Sequence, residues 1–186
     1  MDLLREHVKK EALICHMLAI EAAMGHYAKH FGEDEQVWRI TGLLHDFDYE
    51  KFPEPPDHTR EGAKILRERG VDEEIVGAIL SHADWNLDEC PRDSLMRKTL
   101  FAVDELCGFI YAAALVRPER LSGMKAKSVR KKMKQKSFAA AVSRDDIVKG
   151  AELLGVDLNE HIEACIAAMS TIAGPLGLEP PAATEQ

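Results

Sequence analysis

His45 and Asp46 are adjacent residues that follow an apolar segment ending in Leu43 and Leu44. At the end of a helix, either side chain needs a polar partner if it is buried, because burying an unpaired polar group costs free energy. An imidazole and a carboxylate are also common ligands of a divalent metal ion. The pair therefore indicates a candidate metal site, and the alternative is an exposed helix end.

Two further candidate ligands lie on the apolar faces of predicted helices. Asp104 shares a face with Leu100 and Cys107 within a helix predicted over about 93–116, so its carboxylate points toward the core. It must there form an ion pair or hydrogen bond, or bind a cation, because an unpaired buried carboxylate is costly. His16 lies on the apolar face of the first predicted helix. Its alternative is a core histidine bonded to a backbone carbonyl.

His58 and His82 stand at the ends of consecutive predicted helices. His58 begins a helix after the proline-rich loop 52–57, and His82 ends the next helix. Histidine is tolerated near helix ends, so a capping or exposed role is the alternative for each. If the two helices pack side by side, both imidazoles lie at the same end of the helix pair and add two potential ligands at one site.

The order of these motifs resembles the HD-domain metal-dependent phosphohydrolase superfamily. An early helical histidine, a His-Asp pair, two further histidines and an aspartate on a long helix follow one another over roughly residues 10–115. The matching segments are Cys15-His16-Met17, Gly42-Leu43-Leu44-His45-Asp46-Phe47-Asp48, His58-Thr59-Arg60-Glu61-Gly62-Ala63, Ile79-Leu80-Ser81-His82 and Ala102-Val103-Asp104-Glu105-Leu106. The resemblance implies an all-α fold, a single compact helical bundle of the HD-domain type.

The resemblance also implies a ligand set for one or two divalent metal ions. The residues that match the primary metal ligands of the family are His16, His45, Asp46 and Asp104. His58 and His82 match the extra histidines of members that hold two metals, with Asp46 then bridging. Mixed nitrogen and oxygen ligands do not select among Mn, Fe, Co, Ni, Zn and Mg.

The chain departs from well-known branches of the superfamily. Phe47 and Asp48 follow the His-Asp pair and no Gly-Tyr-Pro follows His82, so hydrolysis of cyclic dinucleotides is not expected. The helical turn after His16 is apolar and lacks the arginine with which many relatives contact phosphate. Lys51 and Asp48 are the nearest candidates for binding phosphate and managing a proton, and the alternative is that both are loop residues exposed to water.

The function implied by the resemblance is that of a metal-dependent phosphohydrolase, either a phosphomonoesterase or a phosphodiesterase. Metal-activated water would cleave a phosphate ester of a nucleotide or another small phosphorylated metabolite, with Asp46, Asp48 and Lys51 as catalytic residues. Two alternatives stay open: a di-iron oxygenase on the same scaffold, and a non-catalytic sensor that binds a metal and a nucleotide. A complete ligand set argues against the sensor.

One segment of this acidic chain carries a strongly positive local charge. Its seven cations fall within twelve residues that contain no acid: Lys125, Lys127, Arg130, Lys131, Lys132, Lys134 and Lys136. Such a run is often a solvated helix face. The functional alternative is a positive rim that attracts an anionic substrate, with Lys131, Lys132 and Lys134 as substrate-binding residues.

Composition narrows the class of protein. The 186 residues carry a net charge of −8, which argues against non-specific nucleic-acid binding. The first residues form no apolar secretory segment, and the longest uncharged apolar run, 106–116, is too short to span a bilayer. The four cysteines are scattered without a Cys-x-x-Cys motif, as in a cytoplasmic protein with free thiols. The oligomeric state is not predicted.

Apolar periodicity predicts helices throughout and no sheet. The expected ranges are 2–31, 34–45, 58–69, 72–83, 93–116, 125–140, 143–155 and 158–173, separated at glycines and prolines. We predict one helical domain over residues 1–174 and a flexible C-terminal tail over 175–186. The loops 47–57, 84–92 and 117–124 are expected to form the specificity pocket.

Overall fold

The computed structural model describes residues 2–181, and every regular element in that range is helical. The all-α prediction is therefore confirmed. The α-helices are α1 (Asp2–His7), α2 (Glu11–Phe31), α3 (Glu35–Leu44), α4 (Asp57–Glu68), α5 (Glu73–His82), α6 (Leu95–Leu115), α7 (Ala126–Met133), α8 (Arg144–Leu154) and α9 (Leu158–Ser170). A short 3-10 helix (Asp84–Asn86) lies between α5 and α6. Among these residues no helix is long and apolar enough to cross a membrane.

Local sequence signals fix many of the helix ends. Asp34 and Asp157 each accept two backbone N–H groups from the first turns of α3 and α9, which satisfies donors that the helix itself leaves free. Gly32 and Gly155 end α2 and α8 with φ values of 75° and 74°, a left-handed conformation that glycine adopts without steric cost. These signals explain why most predicted boundaries lie close to the observed ones.

The long helices α2 and α6 organise the packing. Helix α2 packs against α3, α6 and α9, and α6 also packs against α5 and α8. One cluster of buried apolar side chains surrounds α6, with Leu100, Leu106 and Ile110 among its fully buried members. A second cluster joins α1 to the elements up to α5 around Phe47 and Leu66. Helix α2 contributes to both clusters, so it connects the two halves of the core.

The first predicted helix, 2–31, is wrong in one respect, because the chain breaks between α1 and α2. Lys10 has an extended backbone, and the Glu50 carboxylate accepts the N–H groups of Lys9 (2.9 Å) and Lys10 (3.0 Å). Glu50 therefore caps the start of α2 from a distant loop. Periodicity along the helix cannot reveal a cap supplied by a residue so far away in the chain.

The predicted helix 125–140 is also too long, since α7 ends at Met133. The following loop contacts the core through Phe138, whose ring packs edge-on against Phe109 at 5.6 Å. The Arg144 guanidinium donates to the carbonyls of Ala139 and Val142 at 2.6 Å each. These tertiary contacts replace the hydrogen bonds that a continued helix would form.

The segment predicted as a tail begins with packed residues. Leu176 and Leu178 are buried, and the Leu178 carbonyl accepts the N–H of Leu121 at 3.3 Å. Two apolar side chains in a proline- and glycine-rich stretch give too little periodicity to predict this packing. The remainder of the predicted tail, 182–186, lies outside the described residues.

Gly150 sets the approach of α8 to α6. A Cβ atom at this position would lie 2.6 Å from the Cα of Ala102, so the backbones could not stay where they are. We expect Gly150→Ala to lower the free energy of unfolding by about 1–3 kcal/mol, because overpacking outweighs the gain in helix propensity of about 1 kcal/mol. Urea unfolding measures the change. The control is Gly108→Ala in α6, whose nearest contact would be an ordinary 3.6 Å; equal stability of the two variants would contradict the prediction.

Candidate metal centre

All six predicted metal ligands converge in the fold. They are His16 in the middle of α2, His45 and Asp46 directly after α3, His58 at the start of α4, His82 at the end of α5, and Asp104 in the middle of α6. Their polar atoms form two groups within 4.8 Å that are compatible with a metal ion, one containing His16, His45 and Asp46 and the other Asp46, His58 and His82. Asp46 belongs to both groups.

Asp104 lies beside the first group, so that two imidazoles there face two carboxylates. Nε2 of His16 lies 3.1 Å from Oδ1 of Asp104 and 3.7 Å from Oδ2 of Asp46. Nε2 of His45 lies 3.6 Å and 3.5 Å from the same two oxygens. Two nitrogens and two oxygens therefore face a common point from α2, α6 and the end of α3.

The second group faces the other oxygen of the same carboxylate. Oδ1 of Asp46 lies 3.4 Å from Nε2 of His58 and 3.4 Å from Nε2 of His82. The Asp46 side chain is only 14% exposed, so both of its oxygens lie in the interior, between the two groups. One oxygen of Asp46 therefore faces each group of imidazoles, so this carboxylate could contact an ion held by either group.

Hydrogen bonds on the far side of three rings fix which nitrogen faces the centre. Nδ1 of His45 and of His82 donates to a carbonyl three residues earlier, at 2.8 Å and 2.6 Å. Nδ1 of His58 donates to Oδ1 of Asp48 at 3.0 Å. Because Nδ1 carries the proton in these bonds, Nε2 of each neutral ring offers a lone pair to the centre.

The donor set fits a divalent metal ion. Nε2 of His45 is fully buried without a hydrogen-bond partner, although a buried polar atom normally has one. Ligand atoms bonded to one cation at about 2.1 Å and separated by about 90–110° are about 3.0–3.4 Å apart. The separations of 3.1–3.7 Å in the first group and 3.4 Å in the second are close to that range.

Without a metal, protons link the imidazoles to the carboxylates. Burial lowers the pKa of His45, but the negative charges of Asp46 and Asp104 outweigh it and raise that pKa to about 9. Burial likewise opposes protonation of His58, whose pKa rises to about 9 through hydrogen bonds to Asp46 and Asp48. Although burial raises the pKa of both Asp46 and Asp104, the surrounding imidazoles lower each below its usual value. Both carboxylates are therefore anionic and attract positive charge.

Asp48 orients His58 from behind. Its carboxylate is buried, with Oδ2 accepting the N–H groups of Thr59 (2.8 Å) and Gly62 (3.0 Å) while Oδ1 accepts from His58. Thr59 has a φ of 66°, an unfavourable value for a β-branched residue. Asn86 donates to the Thr59 hydroxyl at 2.7 Å. These contacts hold a strained backbone that turns His58 toward the centre.

The comparisons with known proteins agree with this geometry. A family model for the HD domain matches residues 13–106, half of the chain, and this range contains all six candidate ligands. The chain belongs to the HD-domain family. No curated protein and no solved structure matches it. The HD domain implies a hydrolase superfamily whose members bind divalent metals, and the two groups around Asp46 are compatible with that role.

The remaining predicted site residues lie elsewhere or act indirectly. Lys51 is exposed, and its Nζ lies 3.1 Å from Nδ1 of His7 on α1. Asp48 contacts the candidate metal centre through His58. Its hydrogen bond to that ring supports a positioning role, in place of the predicted role in proton transfer. In the basic segment, Lys131 and Lys134 line a cavity with Ala126, Lys127, Arg130 and Asn159, and none of the six ligands lines it. Lys132 lies over the ring of Phe138 instead.

Arg92 is a positioning residue that the sequence analysis missed. Its guanidinium donates to the carbonyls of Ser81 (2.7 Å) and His82 (2.6 Å) and pairs with Asp84 (2.7 Å). It also lies 3.7 Å from the ring centre of Phe101. These bonds satisfy carbonyls at the end of α5 and so fix the helix turn that carries His82. Arg92 belongs to a loop with no periodic pattern, which left no sequence signal for this role.

We expect Arg92→Met to weaken metal binding by the second group (Asp46, His58 and His82) and to leave metal binding by the first group unchanged. The methionine retains an apolar side chain beside Phe101, but His82 loses the support of its helix end. The affinity for the second ion should fall about 10–100-fold, the usual effect of removing an outer partner, while the first ion still binds. A Co²⁺ titration followed by absorption measures this. The control is Arg97→Met, because the guanidinium of Arg97 donates to the carbonyl of Pro91 and not to that of His82. Equal Co²⁺ titrations of the two variants would contradict a positioning role for Arg92.

Proposed function

We propose that this HD-domain protein is a metal-dependent phosphohydrolase that cleaves a phosphate ester of a nucleotide or another small phosphorylated metabolite. The observation that carries the proposal is the bridging position of Asp46 between two groups of histidine nitrogens, with the buried Nε2 of His45 lacking any other partner. When bound there, a divalent ion supplies a Lewis acid that activates water and stabilises charge on phosphoryl oxygens.

The residues of the chain provide a fixed and partly dry site for this reaction. Asp46 and Asp104 supply negative charge, and His16, His45, His58 and His82 supply neutral nitrogens. Hydrogen bonds from the outer ring nitrogens keep three of the imidazoles in place, so little reorganisation is needed during turnover. The side chain of Asp104 is 21% exposed, which leaves the centre accessible to a small substrate.

Aromatic side chains beside His58 support a nucleotide as one class of substrate. The ring centre of Tyr49 lies 4.9 Å from that of His58, and the ring centre of Trp85 lies 6.0 Å from it. Both aromatic residues are partly exposed, at 44% and 39%. An exposed aromatic face next to a metal centre is a suitable platform for stacking a base.

A screen of phosphorylated metabolites tests the proposed function. The protein is loaded separately with Mn²⁺, Fe²⁺, Co²⁺ and Mg²⁺, and inorganic phosphate release and oxygen consumption are both measured. We expect metal-dependent phosphate release from at least one nucleotide or sugar phosphate, without oxygen uptake. Oxygen consumption by the Fe²⁺ form with no phosphate release from any ester would indicate the di-iron oxygenase instead. Metal binding with neither reaction would favour the sensor.

A further inference from the structure

A cavity of about 250 Å³ opens beside the metal centre. It is lined by His82, Ala83, Asp84, Trp85, Phe101, Asp104, Glu105 and Asp146. Two of these residues are metal ligands, so the cavity leads directly to the centre. Asp146 comes from α8, which lies beyond the range 13–106 that the HD-domain model matches. One wall of the cavity is therefore formed by the second half of this chain.

Close packing fixes the position of that wall. Gly150 of α8 lies against Ala102 of α6, two residues before Asp104, at a separation that leaves no room for a Cβ atom. Lys149 directly precedes Gly150, one helical turn after Asp146. The tight contact between the helix backbones thus places the side chains of Asp146 and Lys149 near the metal centre.

The ammonium group of Lys149 lies at the rim of this cavity. Its Nζ is 3.7 Å from Oδ2 of Asp84 and 5.3 Å from the ring centre of Phe101, and both partners line the cavity. The side chain is 46% exposed, so it can turn toward a ligand. Asp84 also pairs with Arg92 at 2.7 Å, so it keeps a cationic partner if Lys149 moves away.

Other cations considered for phosphate binding are engaged elsewhere. Arg92 is only 5% exposed and is used by two carbonyls and Asp84. Lys51 lies beside His7, and Lys131 and Lys134 line a different cavity. The turn of α2 after His16 is apolar. None of these four cations is placed to bind a phosphate group at the centre, whereas Lys149 lies at the rim of the cavity beside Asp84 and Phe101.

We propose that Lys149 binds an anionic phosphate group of the substrate at the mouth of the metal centre. This inference rests on the proposed function, because it assigns a phosphate-binding residue to the same site. A charge-assisted hydrogen bond from Lys149 neutralises part of the phosphate charge. The residue acts in substrate binding, and it holds no metal.

The test measures binding of inorganic phosphate to the Mn²⁺-loaded protein by calorimetry. We expect Lys149→Gln to raise the Kd for phosphate about tenfold, the loss expected for one charge-assisted hydrogen bond. Lys149→Arg should restore binding to within about threefold of wild type, because it retains the charge. The matched control is Lys29→Gln, which removes an exposed cation near the end of α2 and should leave the Kd within about twofold of wild type.

Metal content, measured on the same samples by elemental analysis, should be equal in all four proteins. A Lys149→Gln protein that binds phosphate within twofold of wild type would overturn the inference, as would a wild-type protein that binds no phosphate. The proposed function fails separately, if wild type binds phosphate through Lys149 yet releases none from any ester. If wild type hydrolyses esters and Lys149→Gln retains both Kd and kcat/KM, only the role of Lys149 fails.

Discussion

Replacing Asp46 by alanine should remove bound metal from both groups of the centre and abolish activity. One oxygen of this carboxylate serves His16 and His45, and the other serves His58 and His82. Without it, no carboxylate among the described residues faces the Nε2 atoms of His58 and His82, because Asp48 contacts His58 on the opposite ring nitrogen. We expect metal content to fall close to zero and kcat/KM to fall more than about a thousandfold, corresponding to about 4 kcal/mol of transition-state stabilisation.

Two matched variants make the Asp46 result specific. Asp104→Ala removes a carboxylate that contacts only His16 and His45, so it should reduce metal content by one ion and leave the second group able to bind. Asp93→Ala removes an aspartate that is 67% exposed and should change nothing. A folded Asp46→Ala protein with the metal content of wild type would exclude the bridging role.

Replacing Asp48 by alanine should both destabilise the protein and loosen the second group. The substitution leaves three donors without their acceptor: the ring N–H of His58 and the backbone N–H groups of Thr59 and Gly62. Because these groups are buried or nearly so, we expect the free energy of unfolding of the metal-free protein to fall by about 3 kcal/mol or more. The affinity for the second ion should fall about 10–100-fold.

Urea unfolding of metal-free protein and elemental analysis of loaded protein measure the two effects of the Asp48 substitution. Asp57→Ala is the control, because Asp57 is exposed and lies at the start of α4, next to His58. If Asp48→Ala matched that control in stability and retained wild-type metal content, the hydrogen bonds behind His58 would have no positioning role.

Helical periodicity and motif order are sufficient to select the six His and Asp residues that the fold brings together. His16 and Asp104 are polar residues on otherwise apolar helical faces, which marks them as requiring a partner in the core. His58 and His82 were predicted from their positions at helix ends, and the structure brings their Nε2 atoms equally close to Asp46. These features depend on local sequence, so they could be recognised before the fold was known.

The positions of the residues that surround the candidate ligands depend on contacts between distant parts of the chain. Glu50 caps α2 from forty residues away, and Arg92 binds the end of α5 from an irregular loop. The position of Lys149 depends on the contact of Gly150 with Ala102, which no local pattern encodes. The basic segment carries a strong charge signal, but a run of lysines does not specify which element its helix will face.

With an ion bound in each group, the shared carboxylate of Asp46 would couple the two ion positions thermodynamically. If binding of the first ion changes the affinity for the second ion by some factor, binding of the second ion changes the affinity for the first ion by the same factor. The amounts of empty, singly loaded and doubly loaded protein are then set jointly by the metal supply, and activity that needs both ions follows only the doubly loaded fraction. In such a protein metal content and turnover would not rise in proportion, and a modest fall in available metal would inactivate many molecules that still retain one ion.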